Sequence, residues 1–302
     1  MKAPAGKTAQ PLDGRGLAKR LLDALPKRVA GLTDERGEAP LLAIVAIGAD
    51  SPSEAYLKSK LQSCRAAGIE TSVHSLPRAT SEQEALGVLD DLAKNVQVDG
   101  IIVEVPLPSH LDARRITARI PPEKDVEGVT ERNFGRLFAA RTVAELESGG
   151  VFVPCTASAI LALLEASGLD PKGKEAVVIG RSNIVGKPVA HLLTCMDATV
   201  TLCHTKTKDL AGHVLRADIL VCAAGKPGLV KGAMLKKGCV VLDAGTTYEG
   251  DAVKGDVDAA SAAKVAAWLT PVPGGVGPVT IAALLSNTVL AAERRTRARL
   301  AA

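Results

Sequence analysis

Between Pro40 and Pro108 the chain alternates between short apolar runs and amphipathic stretches, and this alternation restricts the possible folds more than any other feature. PLLAIVAIGAD (Pro40 to Asp50) reads as a buried strand and SEAYLKSKLQSCRAAG (Ser53 to Gly68) as a helix. ETSVHSLP is a second strand, SEQEALGVLDDLAKN a helix capped by Ser81, and DGIIVEVPLP a third strand. Strands separated by helices predict a parallel sheet, because parallel neighbours need a long crossover between them. A helical pattern, GLAKRLLDALPKRVAGL, precedes the first strand.

The pattern resumes after a loop-rich stretch, PPEKDVEGVTERNFGRL. ASAILALLEASG is helical, KEAVVIG a strand and KPVAHLLTC a helix, and ATVTLCH, ADILVCAAG and CVVLDAG are three more strands. VTIAALLSNTVLAAERRTRARL is a long amphipathic helix whose basic end suits the negative pole of the helix dipole. With 302 residues, 47% of them hydrophobic, the chain exceeds what a single core usually serves, so two α/β domains are expected.

The formal charge of +4 is spread along the chain without clustered Lys/Arg and interleaved aromatics, so no nucleic-acid partner is expected. The six cysteines lack a CxxC pair and several sit in apolar runs, which fits a reducing cytoplasm and predicts no metal site. MKAPAGKTAQ has no apolar stretch like that of a secretory signal and reads as a disordered lead-in. No window is expected to approach a membrane-spanning length.

Four places could carry chemistry. Glu104 stands in the apolar run of the third strand, where an unpaired carboxylate would be costly. It is either a strand-end residue facing water or the partner of a cation. Tyr56 and Lys60, four apart on one helix face, are either a half-buried tyrosine and a solvated lysine, or a stacking ring beside a general acid or base. In VVIGRSNIVGKPVAHLL a strand runs into Gly180, Arg181, Ser182 and Gly186 before a helix, an arrangement suited to a dinucleotide phosphate but also compatible with a plain α/β turn. Arg181 favours the former, and Thr205 and Lys206 follow the next strand, where NAD would call for an acidic residue. TPVPGGVGPVT (Thr270 to Thr280), with three prolines and three glycines, is a linker between domains, a backbone surface that a planar ligand can approach, or both.

Taken in order, SEAYLKSK, DGIIVEVPLP, PPEKDVEGVTERNFGRL, FVPCT, VVIGRSNIVGKPVAHLL, ATVTLCHTKT, ADILVCAAGKPG, VVLDAGTTY, GDVD and TPVPGGVGPVTIAALLSNT resemble the methylenetetrahydrofolate dehydrogenase/cyclohydrolase family over nearly the whole chain. The resemblance implies two α/β domains around a cleft, the second a Rossmann-like dinucleotide-binding domain, and a cytoplasmic homodimer. Residues 1–150 with 277–302 would form the folate-binding catalytic domain, and 151–276 the NADP-binding one. It also implies hydride transfer from a methylene-bridged reduced folate to NADP, followed in many members by hydrolysis of the methenyl cation. Lys60 looks like the catalytic lysine and Tyr56 like the pterin-stacking residue, with Val103, Glu104, Val105, Glu127 and the loop Pro273, Gly274, Gly275, Val276, Gly277 around the folate. Gly180, Arg181, Ser182, Thr205 and Thr246 look like cofactor contacts.

The family commonly reads VQLPLP and KDVDG where this chain has VEVPLP and KDVEG. Glu104 therefore stands where a glutamine partners the lysine, and Glu127 where an aspartate recognises the pterin edge. Thr205 for serine and Ala157 for proline are smaller departures. A carboxylate beside a lysine favours the ammonium form, which is a poor base, so the expectation is a dehydrogenase with weak or altered cyclohydrolase activity. A relative acting on another reduced pterin and a non-catalytic NADP-binding protein are the other readings; the retained Lys60, Tyr56 and glycine loop oppose the second of these.

Overall fold

The structure, a computed structural model, describes residues 8–48, 51–250 and 252–300, and the side chains of residues 51–56 lie outside the described set. The chain divides into two compact units, Lys19–Gly135 together with the chain from Ile281 onward, and the chain up to Ala18 together with Arg136–Thr280. The expected domain boundary at residue 150 falls inside the second unit. That unit also takes in β1 (Gln10–Pro11), a strand too short to show any period in the sequence.

The first unit is built on β2 (Leu41–Ile47), β3 (Glu70–Leu76) and β4 (Gly100–Val103), a parallel sheet in the order β3-β2-β4. β2 is central and buried on both faces, so its sequence is an apolar run without alternation. On one face Ala43, Val45, Ile47, Ile101 and Val103 pack with Ala85, Leu89 and Ile116. The helix Glu82–Lys94 starts with Ser81 in a capping box with Glu84, as its sequence predicts. Its last carbonyls, Leu92, Ala93 and Asn95, accept from Lys124 Nζ at 3.2, 2.8 and 2.6 Å.

The helical pattern before β2 proves to be two helices, Gly14–Asp23 and Leu25–Arg36, because Pro26 fits only the first turn of a new one. Asp99, at the entry to β4, is fully buried and binds Arg36 through both oxygens, at 3.1 and 2.8 Å. It also accepts from the Leu41 amide and lies 2.8 Å from Arg295 Nε. One carboxylate thus ties together a helix end, two strands and the C-terminal helix.

The second unit carries β5 (Glu175–Ile179), β6 (Thr199–Cys203), β7 (Ile219–Cys222), β8 (Val240–Asp243) and, after a small antiparallel hairpin of β9 (Thr247–Glu249) and β10 (Ala252–Lys254), β11 (Trp268–Leu269). With β1 they form a six-stranded parallel sheet, β1-β11-β8-β7-β5-β6. The strand order reverses between β5 and β7, which is where open α/β sheets bind ligands at their carboxyl ends.

The expectation about membrane-spanning length needs correction. The C-terminal helix, Val276–Leu300, is long and apolar enough, with a window of mean hydropathy 1.4. Of that window 56% is buried within the protein, as in a core helix. Ala282, Leu285, Val289 and Ala292 are among its fully buried residues.

Removing Asp99 takes from Arg36 and Arg295 their fully buried shared partner and leaves them the more exposed Glu38. Asp99→Ala should cost about 3 kcal/mol in chemical denaturation, the penalty typical of a broken buried ion pair. A loss under about 1 kcal/mol would mean that Glu38, 3.1 Å from Arg295, takes over the role.

Candidate active site and dinucleotide site

β4 ends at Val103, and the next amide, that of Glu104, still pairs with the Val45 carbonyl at 2.9 Å. The Glu104 carboxylate therefore stands at the carboxyl end of the strand, yet it does not simply face water. Lys60, 3% exposed in the helix that follows β2, donates to Glu104 Oε1 at 2.5 Å. Both sequence readings of Glu104 hold in part, since it ends a strand and pairs with a cation. Val103 is a core residue and Val105 is 58% exposed. The Tyr56 backbone belongs to the same helix as Lys60, while its side chain lies outside the described residues. Burial pushes the Cys64 thiol, one turn on, up to about 11, so it stays an unreactive thiol.

Glu127 belongs to the same cluster through a loop that follows β4 closely. A Cβ on Gly100 would come within 2.8 Å of Val126, so only glycine admits that side chain. The Ile101 amide bonds to the Lys124 carbonyl, and Asn287 Nδ2 donates to the Val126 carbonyl at 2.8 Å. Asp125, fully buried, accepts from the amides of Val129 and Thr130 and from Asn133 Nδ2 at 3.0, 2.8 and 2.8 Å. Held this way, half-buried Glu127 has its carboxyl pushed up to about 7. Loss of water is the main cause; the Lys60 charge opposes it, and the charges of Glu104 and Asp125 add to it. The cluster thus holds a fixed ion pair and a carboxyl group that can gain or lose a proton near neutrality.

In the second unit Gly180 closes β5 with φ +117°, and a Cβ there would lie 2.1 Å from the Ala223 carbonyl oxygen. A Cβ on Gly186, the first residue of the helix Gly186–Cys195, would lie 2.0 Å from the Gly180 oxygen. Both glycines are therefore steric requirements of a tight turn that aims a helix N-terminus at whatever lies beyond the strand. Ser182 Oγ accepts from the amides of Val185 and Gly186 at 3.2 and 3.4 Å and shapes the same turn. Arg181, Thr205, Lys206 and Thr246 are exposed, at the carboxyl ends of β5, β6 and β8. The acid that follows Thr205 in the chain, Asp209, is already occupied as the cap of the next helix. A glycine cradle, a helix terminus and an exposed arginine fit a dinucleotide with an extra phosphate.

The loop Pro273–Gly277 has exposed Pro273 and buried Gly275 and Val276. Gly274 adopts φ +108°, and a Cβ on Gly14 would meet the Gly275 oxygen at 1.8 Å, so the segment packs backbone against backbone. Buried aspartates that organise these loops, Asp125, Asp243 and Asp256, escaped the sequence reading. Their signal is an acid inside an apolar run beside glycine, in KDVEG, VLDAG and GDVD.

Residues 12–127 match the family model described as tetrahydrofolate dehydrogenase/cyclohydrolase, catalytic domain, and residues 154–296 match its NAD(P)-binding domain. The chain is similar to the bifunctional protein FolD of Moorella thermoacetica, 47% identical over 287 residues that cover 95% of this chain and 99% of that one. Among solved structures it resembles the bifunctional methylenetetrahydrofolate dehydrogenase/cyclohydrolase of Campylobacter jejuni (TM-score 0.90, 38% identity, 95% and 99% of the two chains). The Trypanosoma brucei enzyme, solved with NADP and an inhibitor, is equally similar (TM-score 0.90, 38% identity, 96% and 99%). With both domains matched, and with close relatives spanned almost end to end, this chain belongs to the tetrahydrofolate dehydrogenase/cyclohydrolase family.

Proposed function

We propose that the chain oxidises 5,10-methylenetetrahydrofolate to 5,10-methenyltetrahydrofolate with NADP and hydrolyses the product to 10-formyltetrahydrofolate, with the balance set towards oxidation. The buried Lys60–Glu104 ion pair carries this reading. It sits at the carboxyl end of a parallel sheet in a chain whose relatives include a bifunctional protein FolD. Absorbance assays with methylenetetrahydrofolate and NADP, following methenyl formation and decay, test it directly; no methenyl formation would refute it.

When bound, NADP supplies the acceptor for the hydride. The chain's own part is to hold folate and cation. In this reading Tyr56, Val103, Val105 and Pro273 to Gly277 line the folate, Glu127 engages the pterin edge, and Gly180, Arg181, Ser182, Thr205 and Thr246 hold the cofactor. Loss of hydride leaves a cation on the one-carbon bridge, and the Glu104 carboxylate stabilises that charge. The same charge makes the cation less electrophilic towards water, so hydrolysis is slowed. Water adds to the methenyl carbon, the ring opens to the formyl amide, and one proton must leave. Six free cysteines suit a cytoplasmic setting, and the family resemblance supports a homodimer.

Glu104→Gln should raise methenyl hydrolysis relative to hydride transfer in single-turnover traces; loss of hydrolysis would instead make Glu104 the base. Arg181→Ala should raise KM for NADP about 10-fold or more, the scale of a lost charge-assisted hydrogen bond, while leaving KM for NAD nearly unchanged. Equal effects on both would remove Arg181 from the phosphate. Because the Glu127 carboxyl titrates near 7 in the folded chain and lower when unfolded, the folded state holds an extra proton between those values. Its contribution to stability therefore falls as pH rises towards 7. Glu127→Gln should flatten the decline in Tm between about pH 5 and about pH 8, and an unchanged slope would contradict the raised value.

A further inference from the structure

Asp256 is fully buried, and its carboxylate accepts from three consecutive backbone amides, those of Ala224, Gly225 and Lys226, at 2.5, 3.1 and 2.7 Å. Its own amide donates to Asp243 Oδ1 at 3.0 Å. Asp243, 3% exposed, also accepts from the amides of Gly245 and Val257, each at 2.9 Å. The Asp243 amide in turn donates to Thr270 Oγ1 at 2.7 Å. Two adjacent buried carboxylates thus gather backbone from the loop after β7, the loop after β8 and the strand-like segment at Asp256. Apolar packing could hold loops at less cost, since burial, with the Asp256 charge adding to it, lifts the Asp243 carboxyl to about 6 despite three donors.

What these loops touch gives the cost a purpose. Ala223, just before the Asp256-bound amides, presents the carbonyl that a Cβ on Gly180 would strike at 2.1 Å, so the loop after β7 forms one wall of the Gly180 turn. Gly245, bonded to Asp243, has no room for a side chain because a Cβ would lie 2.5 Å from the Asp256 carboxyl. Thr246 follows it directly and is exposed at the end of β8. Displacing either carboxylate would therefore move the glycine turn and Thr246 together.

We infer that Asp256 and Asp243 are positioning residues of the dinucleotide site, locking the loops after β7 and β8 against the Gly180 turn so that cofactor meets a preformed surface. This rests on the reading of that turn as the NADP site. Neither side chain needs to touch the cofactor. The dependence runs through backbone amides, which no side-chain substitution in the loops themselves would remove.

Calorimetric titration of the full-length chain with NADP tests the inference, using Asp256→Asn, which keeps one acceptor oxygen, and Asp256→Ala, which keeps none. The expected result is NADP binding weakened about 10-fold by Asn and further by Ala, the scale of one or more lost hydrogen bonds to a charged group. KM for the folate should change less than about twofold. NADP affinity within about twofold of the unmodified chain, or equal losses for NADP and folate, would overturn it. If the unmodified chain itself fails to bind NADP, the cofactor assignment falls first and this inference with it. Amide hydrogen exchange on the unmodified chain serves where a variant does not fold. The amides of Ala224, Gly225, Lys226 and Gly245 should exchange slowly and be slowed further by NADP. Fast exchange, or exchange indifferent to NADP, would refute the positioning role.

Discussion

A buried carboxylate that accepts several backbone amides can fix a loop that has no secondary structure, and this chain relies on that interaction at each of its candidate sites. Asp125 holds the loop that carries Glu127, and Asp243 and Asp256 hold the loops beyond β7 and β8. The reason lies in the fold. A parallel sheet gathers its loops at the carboxyl ends of the strands, where amides and carbonyls leave the ladder and need other partners. An aspartate offers two oxygens and about four lone pairs in a small volume, enough to satisfy three amides at once.

On the folate side, charge divides the work among three groups. Lys60 and Glu104 form an ion pair, and Glu127 is lifted to the edge of ionisation chiefly because it is deprived of water. Had position 104 carried a glutamine, Lys60 would have lost its neutralising partner and Glu127 one of the negative charges that raises it. One substitution thus acts on both Lys60 and Glu127.

On the dinucleotide side, the governing constraint is steric. Gly180 and Gly186 stand where any Cβ would run into backbone oxygens at 2.1 and 2.0 Å. The turn can therefore tighten until the helix begins almost on top of the strand end. Backbone dipoles and an exposed guanidinium then provide the charge that a phosphate needs.

The strands β2 to β8 and the long helices were legible because each leaves a local trace, a period or a cap, whereas the pairing of Lys60 with Glu104 was expected only from the family resemblance. The order of motifs likewise identified the lineage. Other features left no such trace. β1 and β11 are two residues each and exist only because they pair with each other and with β8. The break at Pro26 and the apolar length of the last helix were visible but misjudged, since the consequence of each depends on what packs around it. Asp243 and Asp256 stand near glycine in the sequence, but that position does not specify that Asp256 collects the amides of Ala224, Gly225 and Lys226. The sequence alone determined which residue types could form strands, turns and charged pairs, because those preferences are local. Where Glu127 and Thr246 stand was decided by the tertiary structure, because Val126 meets Gly100 and Asn287, and Asp256 meets the amides of Ala224 to Lys226, only when the sheets assemble.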